Sequence, residues 1–237
     1  MTDIHCHLIY GVDDGSRSVE ESLELLQELK NVGFDKVIIT PHFIWGTEYD
    51  SDNEIKLEKL NNIKKELINN HINLEVFLGN EIFVNSKIDK LINEGMISSL
   101  ADTKYLLIEL PFHNKIIGLE DMLYELTCKG YIPIIAHPER YSYFQENYRL
   151  VDEFKHEGYL FQCNYASILG YYGKESEKLV KYLFKKQYVD YLGTDLHRVG
   201  KTFMLDNFKK IEKNIIKITG KEYYQEILDN CNKIVSE

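Results

Sequence analysis

The sequence predicts an α/β fold built on a parallel sheet that closes into a barrel. Three observations carry this expectation: apolar, β-branched runs of strand length recur, helical segments separate them, and histidines and carboxylates gather just after the runs. Near-continuous apolar strands are buried on both faces, as a parallel sheet covered by helices requires. About seven such units favour a barrel over the alternative, an open doubly wound sheet. The 237 residues, 44% of them apolar, suffice for one large core, and no linker, low-complexity tract or fixed-period repeat divides them. One domain over residues 1–237 is expected.

The first extended segment carries Asp3-Ile4-His5-Cys6-His7. Side chains alternate along a strand, so both imidazoles face one way. Ser18-Val19-Glu20-Glu21 has the form of a capping box; Leu25, Leu26, Leu29 and Val32 supply a helical apolar stripe, and Gly33 suits its end. The β-branched run at 36–40 completes strand-helix-strand. A polar helix near 51–70 and a strand at 74–78 come next, with later strands at 105–110, 132–136, 159–162 and 188–192. Helices intervene near 86–94, 119–129, 148–157 and 174–186, and the chain ends in helices.

Net charge is −10, with 38 acidic against 28 basic residues, which argues against affinity for nucleic-acid backbone or anionic membrane surfaces. Cys6, Cys128, Cys163 and Cys231 show no Cys-x-x-Cys step, so neither a thiolate zinc knuckle nor a redox motif is offered, and reduced core thiols are expected. No signal-peptide pattern opens the chain and no apolar run approaches the ~20 residues that span a bilayer; membrane insertion is not expected, and a cytoplasmic location is.

The polar residues at the strand ends point to chemistry. His5 and His7 lie on the first strand; the second runs into Thr40-Pro41-His42 and the third into Gly79-Asn80-Glu81. Later strands end at Glu109, at Ala136-His137-Pro138-Glu139-Arg140 and at Gly193-Thr194-Asp195-Leu196-His197. In a parallel barrel the carboxyl ends of the strands share one face, so these groups converge there. Five of the eight histidines fall at strand ends, whereas His71 and His156 sit in polar helical context and His113 in a loop. A cysteine-free N/O donor set suits Zn, Mn or Fe. So many donors exceed the needs of one ion and match two or three, an arrangement suited to clamping a phosphoryl group. Asp13-Asp14-Gly15 forms a turn beside the cluster, and one of its Asp residues is a further candidate donor.

The ordered series Asp3-x-His5-x-His7, Gly11-Val12-Asp13-Asp14-Gly15, Thr40-Pro41-His42, Glu81, Glu109, Ala136-His137-Pro138-Glu139-Arg140 and Asp195-x-His197 resembles the polymerase-and-histidinol-phosphatase (PHP) superfamily. More narrowly it is similar to the bacterial protein-tyrosine phosphatases of capsule and exopolysaccharide clusters. The resemblance runs from residue 3 to about residue 200 and includes Gly170-Tyr171-Tyr172-Gly173-Lys174. It implies a distorted (β/α)7 TIM-like barrel with a trinuclear metal centre at the strand ends, most commonly manganese, with iron or zinc in relatives. His5, His7, Glu81 and Asp195 would hold one ion; Glu81, Glu109 and His137 a second; Asp14, His42 and His197 the third.

The implied chemistry is hydrolysis of phosphotyrosine by a metal-bridging hydroxide, with Arg140 neutralising phosphoryl oxygens. The implied partner is a bacterial tyrosine kinase of a polysaccharide export system; an alternative substrate is a small phosphomonoester such as histidinol phosphate. Relatives commonly carry Asn after Asp-x-His and a second phosphate-binding Arg several residues later. Here Arg198 comes at once and Lys201 soon after, and either is a candidate for that contact. The tyrosines after His137 and at 165–172 are candidates for an aromatic cleft. Asn164 faces the expected site end without an assigned role, and the oligomeric state is left open.

Overall fold

A computed structural model describes residues 1–236. Its strands are β1 (Thr2–Asp3), β2 (Lys36–Ile39), β3 (His42–Phe43), β4 (Glu75–Leu78), β5 (Glu81–Phe83), β6 (Tyr105–Glu109), β7 (Ile132–Ala136), β8 (Leu160–Asn164) and β9 (Tyr191–Gly193). The helices are α1 (Val19–Asn31), α2 (Asn53–Asn69), α3 (Ile88–Asn93), α4 (Leu119–Cys128), α5 (Ser142–Glu146), α6 (Tyr148–His156), α7 (Lys174–Lys185), α8 (Phe203–Asp206), α9 (Phe208–Thr219) and α10 (Lys221–Ile234). All strand pairs are parallel, in a sheet ordered β1-β2-β4 and a curled sheet ordered β3-β5-β6-β7-β8-β9. A further parallel bridge joins Cys6 to Leu196.

The expected elements are present with ends shifted by a few residues, and the differences have local causes. The first strand is short, so His5 and His7 lie beyond β1 rather than on it. Asp195 likewise lies past β9 and takes a left-handed φ of 53°, so neither motif owes its common face to strand alternation. The run at 36–40 stops at Ile39 because Pro41 has no N–H for the ladder; pairing resumes at His42 as β3. A similar break at Gly79-Asn80 divides β4 from β5, where a Cβ on Gly79 would stand 2.8 Å from Leu100 Cδ2. Ser18 caps α1, accepting from Glu21 N at 3.3 Å, but the Glu21 carboxylate takes the Arg17 N–H instead of closing the box.

The strands are apolar on both faces, and each face has its own partner. Val37, Ile39, Leu106, Ile108 and Ile135 pack in the layer beneath the helices. Ile4, Ile38, Leu107, Ile134 and Ala136 instead fill an inner cluster with Cys231 and Ile234 of α10. Period-two alternation then places Glu109, Gln162 and Asn164 further along that inner face. The inner face is thus apolar where the strands begin and polar where they end. Cys6, Cys163 and Cys231 are buried free thiols, as expected; Cys128, near the end of α4, is exposed, so it does not belong to the core.

Lys56 of α2 is buried completely, its ammonium donating to Asn80 Oδ1 at 3.0 Å and to Met96 O at 3.2 Å. Burial pulls its pKa down to about 7. Between that value and its unfolded pKa of 10.5 the unfolded chain holds a proton the folded chain has released, so folding gains stability as pH rises through this window. The Tm of the native chain relative to Lys56→Met should therefore increase by several degrees from about pH 7 to pH 10. A flat difference in melting scans across that range would refute the assignment.

Candidate metal centre

Glu81, first residue of β5, is the hub. Its Oε2 lies 3.3 Å from His5 Nε2, 3.3 Å from His7 Nε2 and 3.0 Å from His42 Nδ1, while Oε1 lies 2.7 Å from His137 Nε2. Register explains part of this, because His42 pairs directly with Glu81 across β3 and β5. Glu109, at the end of β6, brings Oε2 to 3.8 Å from His42 Nδ1 and Oε1 to 3.9 Å from His137 Nε2. Asp195 Oδ1 stands 3.7 Å from His5 Nε2 and 3.5 Å from His7 Nε2. Asp14 Oδ1 stands 3.7 Å from His42 Nε2 and 3.5 Å from His197 Nε2. The nine residues named as donors are therefore gathered in one place, and His71, His113 and His156 stay outside it.

Three compact donor groups emerge, each with its atoms within 4.8 Å of one another: His5, His7 and Glu81; His42, Glu81 and Glu109; and His7, Asp14, His42 and His197. The grouping differs in detail from the resemblance, because His137 and Asp195 border these groups without belonging to any of the three. His42 shares a group with Glu81 and Glu109, while His137 approaches the same two carboxylates at 2.7 and 3.9 Å, and His7 also reaches the Asp14 group.

The donor chemistry fits cations. His7 donates Nδ1–H to Asp13 Oδ2 at 2.8 Å and His197 donates its own to Asp195 O at 2.9 Å, which makes Nε2 the atom each ring has left for a cation. His5 Nε2 and His7 Nε2 face each other at 3.2 Å. Glu81 Oε2, Asp14 Oδ1 and His42 Nδ1 are buried without a hydrogen-bond partner, an arrangement native cores avoid. Charge gives the same indication. Burial, and then the neighbouring Glu81, push Glu109 up to about 8 against the opposing pull of His42 and Arg140. Burial opposes a proton on His5 and on His7, yet the surrounding carboxylates hold both pKa values above the usual range. Burial and Arg140 bring His137 down to about 4, and burial and His7 bring His197 to about 4; both are neutral donors at pH 7.

The centre opens on a cavity of about 220 Å³ lined by Arg140, Phe112, Tyr171, Tyr172, Lys201 and Met204 together with several of the donors. Arg140 donates from Nη1 to Asp195 Oδ2 at 2.8 Å, and its guanidinium is held between Phe112, 4.9 Å from the ring centroid, and Tyr172, at 4.5 Å. Its ion partner is thus Asp195 and not the adjacent Glu139, whose buried carboxylate accepts from Ser167 Oγ and Asn164 N. Arg198 reaches back to the Asp14 carbonyl and fastens that loop, whereas Lys201 faces the cavity. Of the tyrosines named for a cleft, Tyr171 and Tyr172 line it. Tyr141 is buried, bonding Leu110 N and Ala136 O, and Tyr165 is packed in the core, because both rings point to the helix layer.

Sequence reasoning singled out Asp13, Asn164 and Tyr172 without their orienting roles and did not single out Gln162: Asp13 orients His7, Gln162 His5, and Asn164 and Tyr172 Asp195. A signal existed for two of them, since Gln162 and Asn164 are polar residues at alternate positions of a buried strand.

An α/β protein with a histidine–carboxylate centre at the carboxyl ends of parallel strands is the class that fold and site define. The chain belongs to the CpsB/CapC family of capsular polysaccharide synthesis, whose profile matches residues 1–236. It is 32% identical to CapC of Staphylococcus aureus over 228 residues, covering 96% of this chain and 87% of that protein. It is 33% identical to tyrosine-protein phosphatase YwqE of Bacillus subtilis over 199 residues, 84% of this chain and 78% of that one. A solved structure from work on YwqE and on CpsB of Streptococcus pneumoniae, described as metal-dependent tyrosine phosphatases, matches with a TM-score of 0.93 at 30% identity. The match covers 100% of this chain and 94% of that one.

The geometry has two measurable consequences. Metal binding must displace protons from His5 and His7, so affinity in chelator-competition titrations should fall about tenfold or more for each pH unit below 7; pH-independent affinity would contradict the donor assignment. A Cβ on Gly15 would stand 2.0 Å from His7 O and 2.9 Å from Asp13 Oδ1. Gly15→Ala should cost about 1–3 kcal/mol in denaturant unfolding and displace Asp13 from His7; wild-type stability and metal content would count against this reading.

Proposed function

We propose that this chain is a metal-dependent protein-tyrosine phosphatase whose substrate is phosphotyrosine on a kinase controlling capsular or extracellular polysaccharide synthesis, working in the cytoplasm. The observation that carries the proposal is the set of overlapping histidine–carboxylate groups around Glu81, opening on a cavity with Arg140 at its wall. The relatives named as tyrosine phosphatases support the substrate. No helix among the described residues is long and apolar enough to cross a membrane.

The scaffold is read as one domain over residues 1–237 and as one distorted (β/α)7 TIM-like barrel. β2 runs into β3 and β4 into β5, and the Cys6–Leu196 bridge joins the segment after β1 to the segment after β9. The centre is read as holding three ions, with manganese favoured and iron or zinc as alternatives. His5, His7, Glu81 and Asp195 would take one; Glu81, Glu109, His137 and the adjacent His42 a second; Asp14, His42 and His197 the third. Bound ions supply Lewis acidity at the phosphoryl group and a water ionised near neutral pH.

The protein's own groups do the rest. Arg140, fixed by Asp195 and by two rings, presents its remaining N–H donors to phosphoryl oxygens without reorganising. Lys201 adds a second positive group at the cavity wall, in the role left open between it and Arg198. Phe112, Tyr171 and Tyr172 offer aromatic surface to the ring of the substrate. No thiol nucleophile is required: Cys6 lies between two donors yet turns to Ile38 O, and burial pushes it and Cys163 well above the usual thiol range.

The test combines metal analysis of anaerobically purified protein with turnover of a phosphotyrosine peptide and of histidinol phosphate. Activity should disappear on chelation, return with Mn, Fe or Zn, and favour the peptide. Preference for histidinol phosphate would move the assignment to a small-molecule phosphatase, and fewer than about two equivalents of metal in active protein would end the three-ion reading. Arg140→Ala should lower kcat/KM about 10²-fold, and Arg140→Lys should not restore it because a point charge replaces a planar fork. Full activity of the lysine variant would refute the bidentate role.

A further inference from the structure

Gln162 and Asn164 stand two residues apart on β8, share its inner face, and are fully buried. Buried amides require partners, and theirs form one continuous chain between two of the donor residues. His5 Nδ1 lies 2.8 Å from Gln162 Oε1, Gln162 Nε2 lies 2.9 Å from Asn164 Oδ1, and Asn164 Nδ2 lies 2.7 Å from Asp195 Oδ2.

The chain has a single direction. An ionised carboxylate only accepts, so Asn164 must turn its NH₂ to Asp195 and its carbonyl to Gln162. Gln162 must then donate to Asn164, which leaves its carbonyl for His5 and demands that the imidazole carry its proton on Nδ1. Nε2 becomes the free donor atom, on the side of Glu81 and His7.

We propose that Gln162 and Asn164 are positioning residues, through which the Asp195 carboxylate sets the tautomer of His5 so that both residues present free donor atoms to one ion. The inference rests on the metal-dependent phosphatase reading. Three further features hold the chain in place. Asn164 N donates to the buried Glu139 at 2.8 Å. Asp195 Oδ2 also accepts from Arg140 and from Tyr172 at 3.0 Å, so its hydrogen bonds fall on one oxygen and Oδ1 stays free. A Cβ on Gly193 would stand 2.6 Å from His5 Cβ and 2.8 Å from Gln162 Nε2, so the relay occupies space that only glycine leaves.

The experiment is chelator competition on the metal-loaded protein, with melting of the chelated form as the control for folding. Gln162→Leu and Asn164→Leu should each weaken binding of one ion about 10–100-fold. The double variant should bind no more than about threefold more weakly than the poorer single, because both break the same chain. Independent contacts would multiply instead, and that result would overturn the relay.

Gln162→Glu separates the relay from a local contact. A glutamate keeps the acceptor for His5 and, alone, would raise imidazole basicity. It has no donor for Asn164, so the relay requires metal binding to weaken. Native affinity in Gln162→Glu beside a weakened Gln162→Leu would overturn the proposal. Should the leucine variants fail to fold, the near-isosteric Gln162→Glu and Asn164→Asp carry the same comparison, both being expected to lose affinity. A native chain that binds no metal would remove the phosphatase reading itself, a result distinct from native binding that the variants leave unchanged.

Discussion

A buried carboxylate among four imidazoles is the interaction on which the site depends. Glu81 is 1% exposed and reaches His5, His7, His42 and His137 from its two oxygens. Such a group in an apolar interior would cost several kcal/mol without counter-charge, and burial alone would raise its pKa. The neighbouring imidazoles reverse that and hold it well below the usual carboxylate range. Glu109, one strand further on, has no equal set of neighbours and moves the other way, to about 8. Two carboxylates in one cluster thus sit in opposite local fields, a difference that a bound cation would remove.

Asp195 is the second organising group, and it works by dividing its oxygens. One takes hydrogen bonds from Asn164, Arg140 and Tyr172; the other faces His5 and His7. The same carboxylate therefore sets the position of the guanidinium at the cavity wall and of the donors at its floor. Its left-handed backbone, shared by His137 at φ 30°, is strain of the kind that persists where surrounding contacts over-determine it. The Arg140 sandwich between Phe112 and Tyr172 adds to that over-determination.

Much of this was legible in the sequence. Apolar runs marked the strands, and the histidines and carboxylates after them marked the cluster, because strand ends on one face share a location whatever the local geometry. His5 and His7 meet in the cluster without the help of period-two alternation, since both lie past a two-residue strand and Asp195 past its own. Residues that act through another side chain left weaker traces. Asp13 reads as an ordinary turn residue, and only the tertiary position of His7 turns it into an anchor. Arg198 and Lys201 both follow the motif as basic residues, and only the fold shows that Arg198 bonds the Asp14 carbonyl while Lys201 lines the cavity. Tyr165 and Tyr172 are close in sequence yet point to opposite layers, a distinction set by the 3₁₀ turn Tyr165–Leu169 that no composition argument resolves.

Several contacts join residues from opposite ends of the chain. Thr194 bonds Asp3 across 191 positions, Cys6 bridges Leu196, and α10 supplies Cys231 and Ile234 to the inner cluster. Closing so long a loop is entropically unfavourable until most of the molecule is already ordered. Synthesis from the ribosome therefore delivers His5, His7, His42, Glu81, Glu109 and His137 long before Asp195 exists to join them. Only the finished polypeptide can set the Asp195 carboxylate against His5 and His7, so this side of the cluster is completed last.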